Sequence, residues 1–334
     1  MTGGSATGAG VRFGVVAPQG WRLDLTHLPD PVRQFEAMVG VARRAERLGY
    51  DSVWLYDHMQ PTGGEEETTF ECWTSLAALA RETTRVRLGQ LVTCTTYRNP
   101  ALLAKMAATV DVASGGRLFL GLGAGWDARE HAAYGYPLPY PPAGRRLRAL
   151  GEAAQIVRAM LAGSRPTFTG EHYRVEGPVN LPRGAQRHIP IMIGGSGEQL
   201  TLNLVARYAD ATNLTDHTDP GFYRHKLDVL RRHCDEVGRD YDSILKTASL
   251  TVFTAPDERA LDRLVEPFVG AGGREALAAG SAVGTPDRLV DIFGALVEAG
   301  IDYFILYFQR PTDPEPMELF ADQVVPRLAA DATR

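Results

Sequence analysis

Short apolar runs rich in β-branched and aromatic residues alternate with segments of helical period along almost the whole chain. Residues 11–17 (VRFGVVA) read as a first strand. Residues 31–48 then repeat apolar positions at Phe35, Met38, Val39, Ala42, Ala45 and Leu48, the spacing of one helix face, and Gly49 stands where such a helix is capped. The alternation continues through a strand at 51–57 (DSVWLYD), a helix at 70–82 and a strand at 86–93 (VRLGQLVT). A helix at 100–113 follows, with Asn99 as its cap and Pro100 in its first position, and then a strand at 117–123 (RLFLGLG). After a pause come strands at 189–193, 209–214, 246–254 and 302–308, separated by helices at 198–208, 220–237, 256–268 and 286–299 and closed by one at 317–328.

Eight strands, nearly all apolar on both faces and each followed by a helix, predict a parallel sheet covered on its outside. That count favours an α/β fold of the (β/α)8 TIM-barrel type, one domain over 11–330, with a doubly wound open sheet as the rival. Two stretches break the rhythm. Residues 126–188 are Pro/Tyr/Gly-rich, with one helix (145–161) and a hairpin near 168–175, and read as an insertion after strand 4 that covers the site. Residues 270–284 are Gly/Ala-rich and read as a second insertion, after strand 7, suited to a lid. The small, polar residues 1–10 read as a flexible tail.

Composition narrows the class. The 35 Lys+Arg against 40 Asp+Glu leave the chain mildly acidic without a long basic run, which argues against nucleic acid and against an anionic membrane surface. The longest apolar stretch, 118–126, is too short to span a bilayer, and the N-terminal text lacks the plan of a signal peptide. Three cysteines, Cys72, Cys94 and Cys234, without CxxC spacing fit a reducing cytoplasm.

In a barrel, chemistry gathers at the C-terminal strand ends. Asp57 and His58 close the second strand, where they can position a substrate, move a proton, bind a metal, or simply cap the strand. Residues 91–100 (LVTCTTYRNP) leave room for a flat ligand, or form a plain loop. The GLGAGW run at 121–126 lacks the third glycine of a dinucleotide fingerprint. Gly194, Gly195 and Ser196 form a glycine-rich turn between strand and helix, the arrangement that aims backbone N–H groups at a phosphate, or else a tight turn alone. No HxH or HExxH pattern occurs, so no metal is assigned; a metal-dependent hydrolase using Asp57, His58 and His131 stays as a lower alternative.

Taken together, the chain resembles the bacterial-luciferase-like superfamily, in particular its coenzyme F420-dependent oxidoreductases. The likeness rests on LGYDSVWLYDH, on LVTCTTYRNPALLAKMAATVDVASGGRLFLGLGAGW, on EHAAYG, on IPIMIGGSGEQ with ARYADATN, and on GTPDRLVD before the last strand. It implies a flavin or deazaflavin at the barrel mouth, with Asp57 and His58 at its ring and His58 relaying a proton. It also implies a bulge, often with a non-proline cis peptide, behind the ring, for which Thr93 and Cys94 are the nearest matches. Ala124, Gly125, Gly194, Gly195 and Ser196 would hold the cofactor phosphate, and Arg129 the ring edge or tail. Relatives that oxidise sugar phosphates carry an acid where this chain has Trp126. That departure argues against sugar-phosphate oxidation and makes Trp126, with Tyr56, a wall for a less polar substrate. The implied reaction is hydride transfer between reduced F420 and a small molecule. The alternative is an FMNH2-dependent monooxygenase fed by a separate reductase. A homodimer is implied as well.

Overall fold

Each of the eight apolar runs forms a strand: β1 (Arg12–Val16), β2 (Ser52–Leu55), β3 (Arg87–Gln90), β4 (Leu118–Gly123), β5 (Ile191–Gly194), β6 (Ala211–Thr215), β7 (Leu245–Phe253) and β8 (Tyr303–Phe308). The structure, a computed structural model, describes residues 10–270 and 272–331. All eight strands are parallel; each pairs with the next, and β8 pairs back with β1, so the sheet closes into a (β/α)8 barrel rather than the open rival. The tail read over 1–10 lies, Gly10 apart, outside the described residues.

The barrel is filled, not hollow. Trp54, Phe119, Met192, Tyr303 and Ile305 pack inside it. Gly89 makes the space: a Cβ there would come within 2.3 Å of the Trp54 ring. Outward-facing Val, Leu and Ile side chains bury against the helices in one large cluster. The caps expected from the sequence are present. Asp30 accepts from Arg33 N–H at the head of Pro31–Arg47, and Asn99 from Ala101 N–H at the head of Pro100–Ala113.

The stretch 126–188 is not one excursion. Its helix Ala143–Leu161 packs between Pro100–Ala113 and Thr201–Tyr208 and so belongs to the outer ring of the barrel. The hairpin Thr167–Thr169 with Arg174–Glu176 is tied to that helix by Glu152, which accepts the N–H groups of Glu171, His172 and Tyr173. The stretch 270–284 is likewise built structure over its described residues. Helix Gly273–Gly280 leads into Ser281–Val283, which pairs with the upper end of β7 beyond the reach of β6. No helix among the described residues is long and apolar enough to cross a membrane.

Glu46, near the end of Pro31–Arg47, secures the entry to β3. It accepts the N–H groups of Thr84 (2.8 Å), Arg85 (2.6 Å) and Val86 (3.0 Å). Burial works against its charge, but these bonds outweigh it and hold the carboxyl at about 2 rather than 4.5. A carboxyl depressed on folding stabilises above its unfolded value and loses that effect as pH falls through its folded value. The melting-temperature gap between the parent protein and Glu46→Gln should therefore be full above pH 4.5 and close toward about 2. Thermal melts across pH check this; a gap indifferent to pH would contradict it.

Candidate active site

The C-terminal strand ends enclose a cavity of about 490 Å³. Asp57 and His58 enter it directly after β2 and do different work. Asp57 is buried, accepts Cys94 N–H at 2.7 Å, and takes a bidentate pair from Arg98 at 2.5 and 3.0 Å. Its oxygens hold the turn after β3, which makes it a positioning residue.

His58 lies flat on Trp21, with ring centroids 4.2 Å apart and planes within 2°, while Trp126 meets it edge-on at 5.4 Å. Its Nδ1 bonds Glu130 Oε2 at 2.8 Å. Glu130, with no exposed surface, also accepts Met59 N–H (2.7 Å), Gln60 N–H (3.1 Å) and the Tyr97 hydroxyl (2.7 Å). Burial penalises this carboxylate, but the donors led by His58 prevail and hold its pKa below the ordinary value. An ionised Glu130 fixes the proton on Nδ1 and leaves Nε2 as the nitrogen of His58 available to a ligand.

Just after β3, the Leu91–Val92 peptide is cis, and the Val92 side chain packs against small residues. A Cβ on Gly123 would lie 2.4 Å from Val92 Cγ2, and one on Gly194 would lie 3.0 Å from Val92 Cγ1. The irregularity of strand 3 thus falls at Leu91–Val92 rather than at Thr93 and Cys94, which have already returned to pairing with β4. Thr93 is fully buried and does not line the cavity; Cys94 does. Burial pushes the Cys94 thiol up to about 11, which removes it as a nucleophile.

Tyr56, Ala124, Gly125, Trp126, Gly194 and Gly195 all line the cavity. Ser196 and Arg129 do not; Arg129 pairs with Asp127 at 3.0 Å. Several cavity residues escaped the sequence reading. Arg146, in the first turn of the helix assigned to an insertion, donates to Gly125 O at 3.1 Å, and Thr201 heads the helix after the 194–196 turn. Glu130 carried a usable signal. Asp127 caps the helix Ala128–Ala133 and Glu130 stands three residues on, the spacing of a capping box.

The metal alternative fails on its donors. Asp57 is taken by Arg98, and the ligand atoms of Asp57, His58 and His131 do not converge among the described residues. Among the described residues the one group with converging ligand atoms is His58, Asp127 and Glu130. There Asp127 is spent on Arg129 and two backbone N–H groups, and Glu130 on four donors, so no oxygen is open to a cation.

The family model for luciferase-like monooxygenases matches residues 11–281. An F420-dependent glucose-6-phosphate dehydrogenase of Microbacterium testaceum (strain StLB037) is 29% identical over 312 residues, covering 85% of this chain and 90% of its own. An F420-dependent hydroxymycolic acid dehydrogenase of Mycobacterium tuberculosis (strain H37Rv) is 28% identical over 315 residues, covering 88% and 84%. Among solved structures, an F420-dependent secondary alcohol dehydrogenase bound to an F420–acetone adduct superposes with a TM-score of 0.80 over 96% of this chain and 99% of its own, at 19% identity.

Proposed function

The chain belongs to the luciferase-like monooxygenase family, and on that premise we propose that it is a coenzyme F420-dependent oxidoreductase acting on a small organic substrate. The observation that carries this reading is the cavity wall after β3, β4 and β5. Gly123 and Gly194 carry no side chain and leave room for Val92 to pack against them, so these strands present a low apolar platform to the cavity. Such a surface fits a planar tricyclic ring. Gly195 N–H is taken by Asn213 O at 3.0 Å, which leaves Thr201 at the head of helix Thr201–Tyr208, together with Arg146, to offer donors for a phosphate-bearing tail.

When bound, the deazaflavin supplies the carbon that gives or accepts hydride. His58 holds or moves the proton at the substrate oxygen through Nε2, with Glu130 stabilising the charge that develops on the imidazole. Trp21 and Trp126 pack against that imidazole, one on its face and one edge-on, and hold its orientation. The relatives named for F420 support the choice of cofactor.

Titrating the protein with F420 and FMN side by side tests this by fluorescence quenching. F420 is expected to bind at least about tenfold tighter, a difference of ~1.4 kcal/mol. Tighter FMN binding with oxygen-dependent turnover would favour the second reading, a monooxygenase supplied by a separate reductase, which the family's own description suggests. The reading carries a cytoplasmic location and a homodimer. Leu102, Met106 and Val112, at least partly exposed on one face of Pro100–Ala113, are the surface offered for the second copy, and sedimentation at two concentrations checks it.

A further inference from the structure

Two consecutive residues after β1, Trp21 and Arg22, line the cavity beside His58, and their polar groups take no part in the chemistry above. Both present fully buried donors, Trp21 Nε1 and Arg22 Nε, that meet no acceptor among the described residues. Buried donors of this kind cost stability unless something bonds them. Arg22 is also held in one pose. Its guanidinium lies 4.3 Å from the Tyr307 ring, 5.3 Å from Tyr56 and 5.5 Å from Trp21, with one hydrogen bond, Nη1 to Thr251 Oγ1 at 3.2 Å.

The acids whose field reaches Arg22 are Asp24 and Asp216. Neither makes an ion pair with it among the described residues. Asp24 spends its oxygens on Gly20 N–H at 2.8 Å and the Tyr307 hydroxyl at 3.3 Å. Asp216 lines the same cavity and adds to the field on Arg22 without a direct bond, and burial raises its carboxyl above the ordinary range. Most of the guanidinium fork is therefore unspent.

We infer that Arg22, through the Nη groups of its guanidinium, is the seat for a carboxylate carried by the substrate, and so decides which substrates the site accepts. One guanidinium fork matches the two oxygens of a carboxylate. A phosphate dianion would want a second cation, and the other guanidinium of this cavity, Arg146, stands on the wall assigned to the cofactor tail. The position suits a substrate. The flat platform belongs to β3, β4 and β5, whereas Arg22 and Thr251 stand at the ends of β1 and β7. Arg22 also borders a neighbouring cavity of about 680 Å³ walled by Tyr307, Arg310 and Phe268. This inference rests on the F420 reading of the same site.

The test uses the full chain and follows tryptophan fluorescence, to which Trp21 contributes. Hydrocinnamate, its neutral amide and phenyl phosphate are titrated into the parent protein, Arg22→Met and Arg22→Lys. F420 affinity is measured in parallel, and melting curves confirm that each variant is folded. Hydrocinnamate is expected to bind at least about tenfold tighter than the amide in the parent, to lose that preference in Arg22→Met, and to keep part of it in Arg22→Lys, with F420 binding within about twofold throughout. No saturable binding of hydrocinnamate, a preference that survives Arg22→Met, tighter binding of phenyl phosphate, or a tenfold loss of F420 affinity in Arg22→Met would each overturn the inference. Failure of F420 to bind the parent, with the carboxylate preference intact, would sink the F420 reading instead.

Discussion

His58→Ala is expected to lower kcat by roughly a hundred- to ten-thousandfold, the usual range for removing a positioned acid–base group, while F420 affinity stays within about twofold. The separation follows from geometry. His58 is not among the side chains that meet Gly123 and Gly194, which face Val92, so truncating it leaves that platform whole. What is lost is the one imidazole that carries a buried carboxylate behind it and a free nitrogen in front. Steady-state rates together with F420 quenching titrations check this. An unchanged kcat would take His58 out of the mechanism.

The second large effect belongs to Glu130, a residue that need touch no ligand. Its removal strands Met59 N–H, Gln60 N–H, the Tyr97 hydroxyl and His58 Nδ1 at once, in a place with no exposed surface. Glu130→Ala is therefore expected to cost about 3–5 kcal/mol, the scale for breaking a buried charged network, read as a fall of roughly 5–15 °C in Tm. Glu130→Gln separates the two roles. The amide oxygen can still accept the two backbone N–H groups, so the melting temperature should stay close to that of the parent. Its NH2 group, however, would face His58 Nδ1 and favour the tautomer protonated on Nε2. Turnover and its pH profile should change while Tm hardly moves. A Gln variant as active as the parent, with the same pH profile, would reduce Glu130 to a structural brace.

The fold was legible because several barrel strands, such as LFLGLG and YFILYF, are buried on both sides and show as apolar runs, with Pro and Asn marking helix heads. Asp57 and His58 were legible because the second strand ends on them. The residues that make them work were not. Glu130 reaches His58 from 72 positions away, and nothing local in either stretch announces the pairing. The displacement of the strand-3 irregularity to Leu91–Val92 reflects pairing with β4, in which Thr93 and Cys94 already meet Leu122 and Gly123. The helix Ala143–Leu161 was misassigned because a proline- and tyrosine-rich approach hid its place in the ring. Arg22 lies in a loop without periodicity, where only the surrounding rings of Tyr56 and Tyr307 give it meaning.

Barrel closure by β8 bears on how the chain is made. β1 pairs with β2 on one side and with β8 on the other, and β7 likewise needs β8 along most of its length. On the ribosome, one edge of β1 therefore waits for a partner until residues 303–308 emerge, roughly 15–60 s later at ~5–20 residues per second. Throughout that interval the nascent chain carries open strand edges able to pair with another chain. A stop codon anywhere upstream of β8 would make that interval permanent, and the shortened product should collect in aggregates or with chaperones rather than as a partly active enzyme.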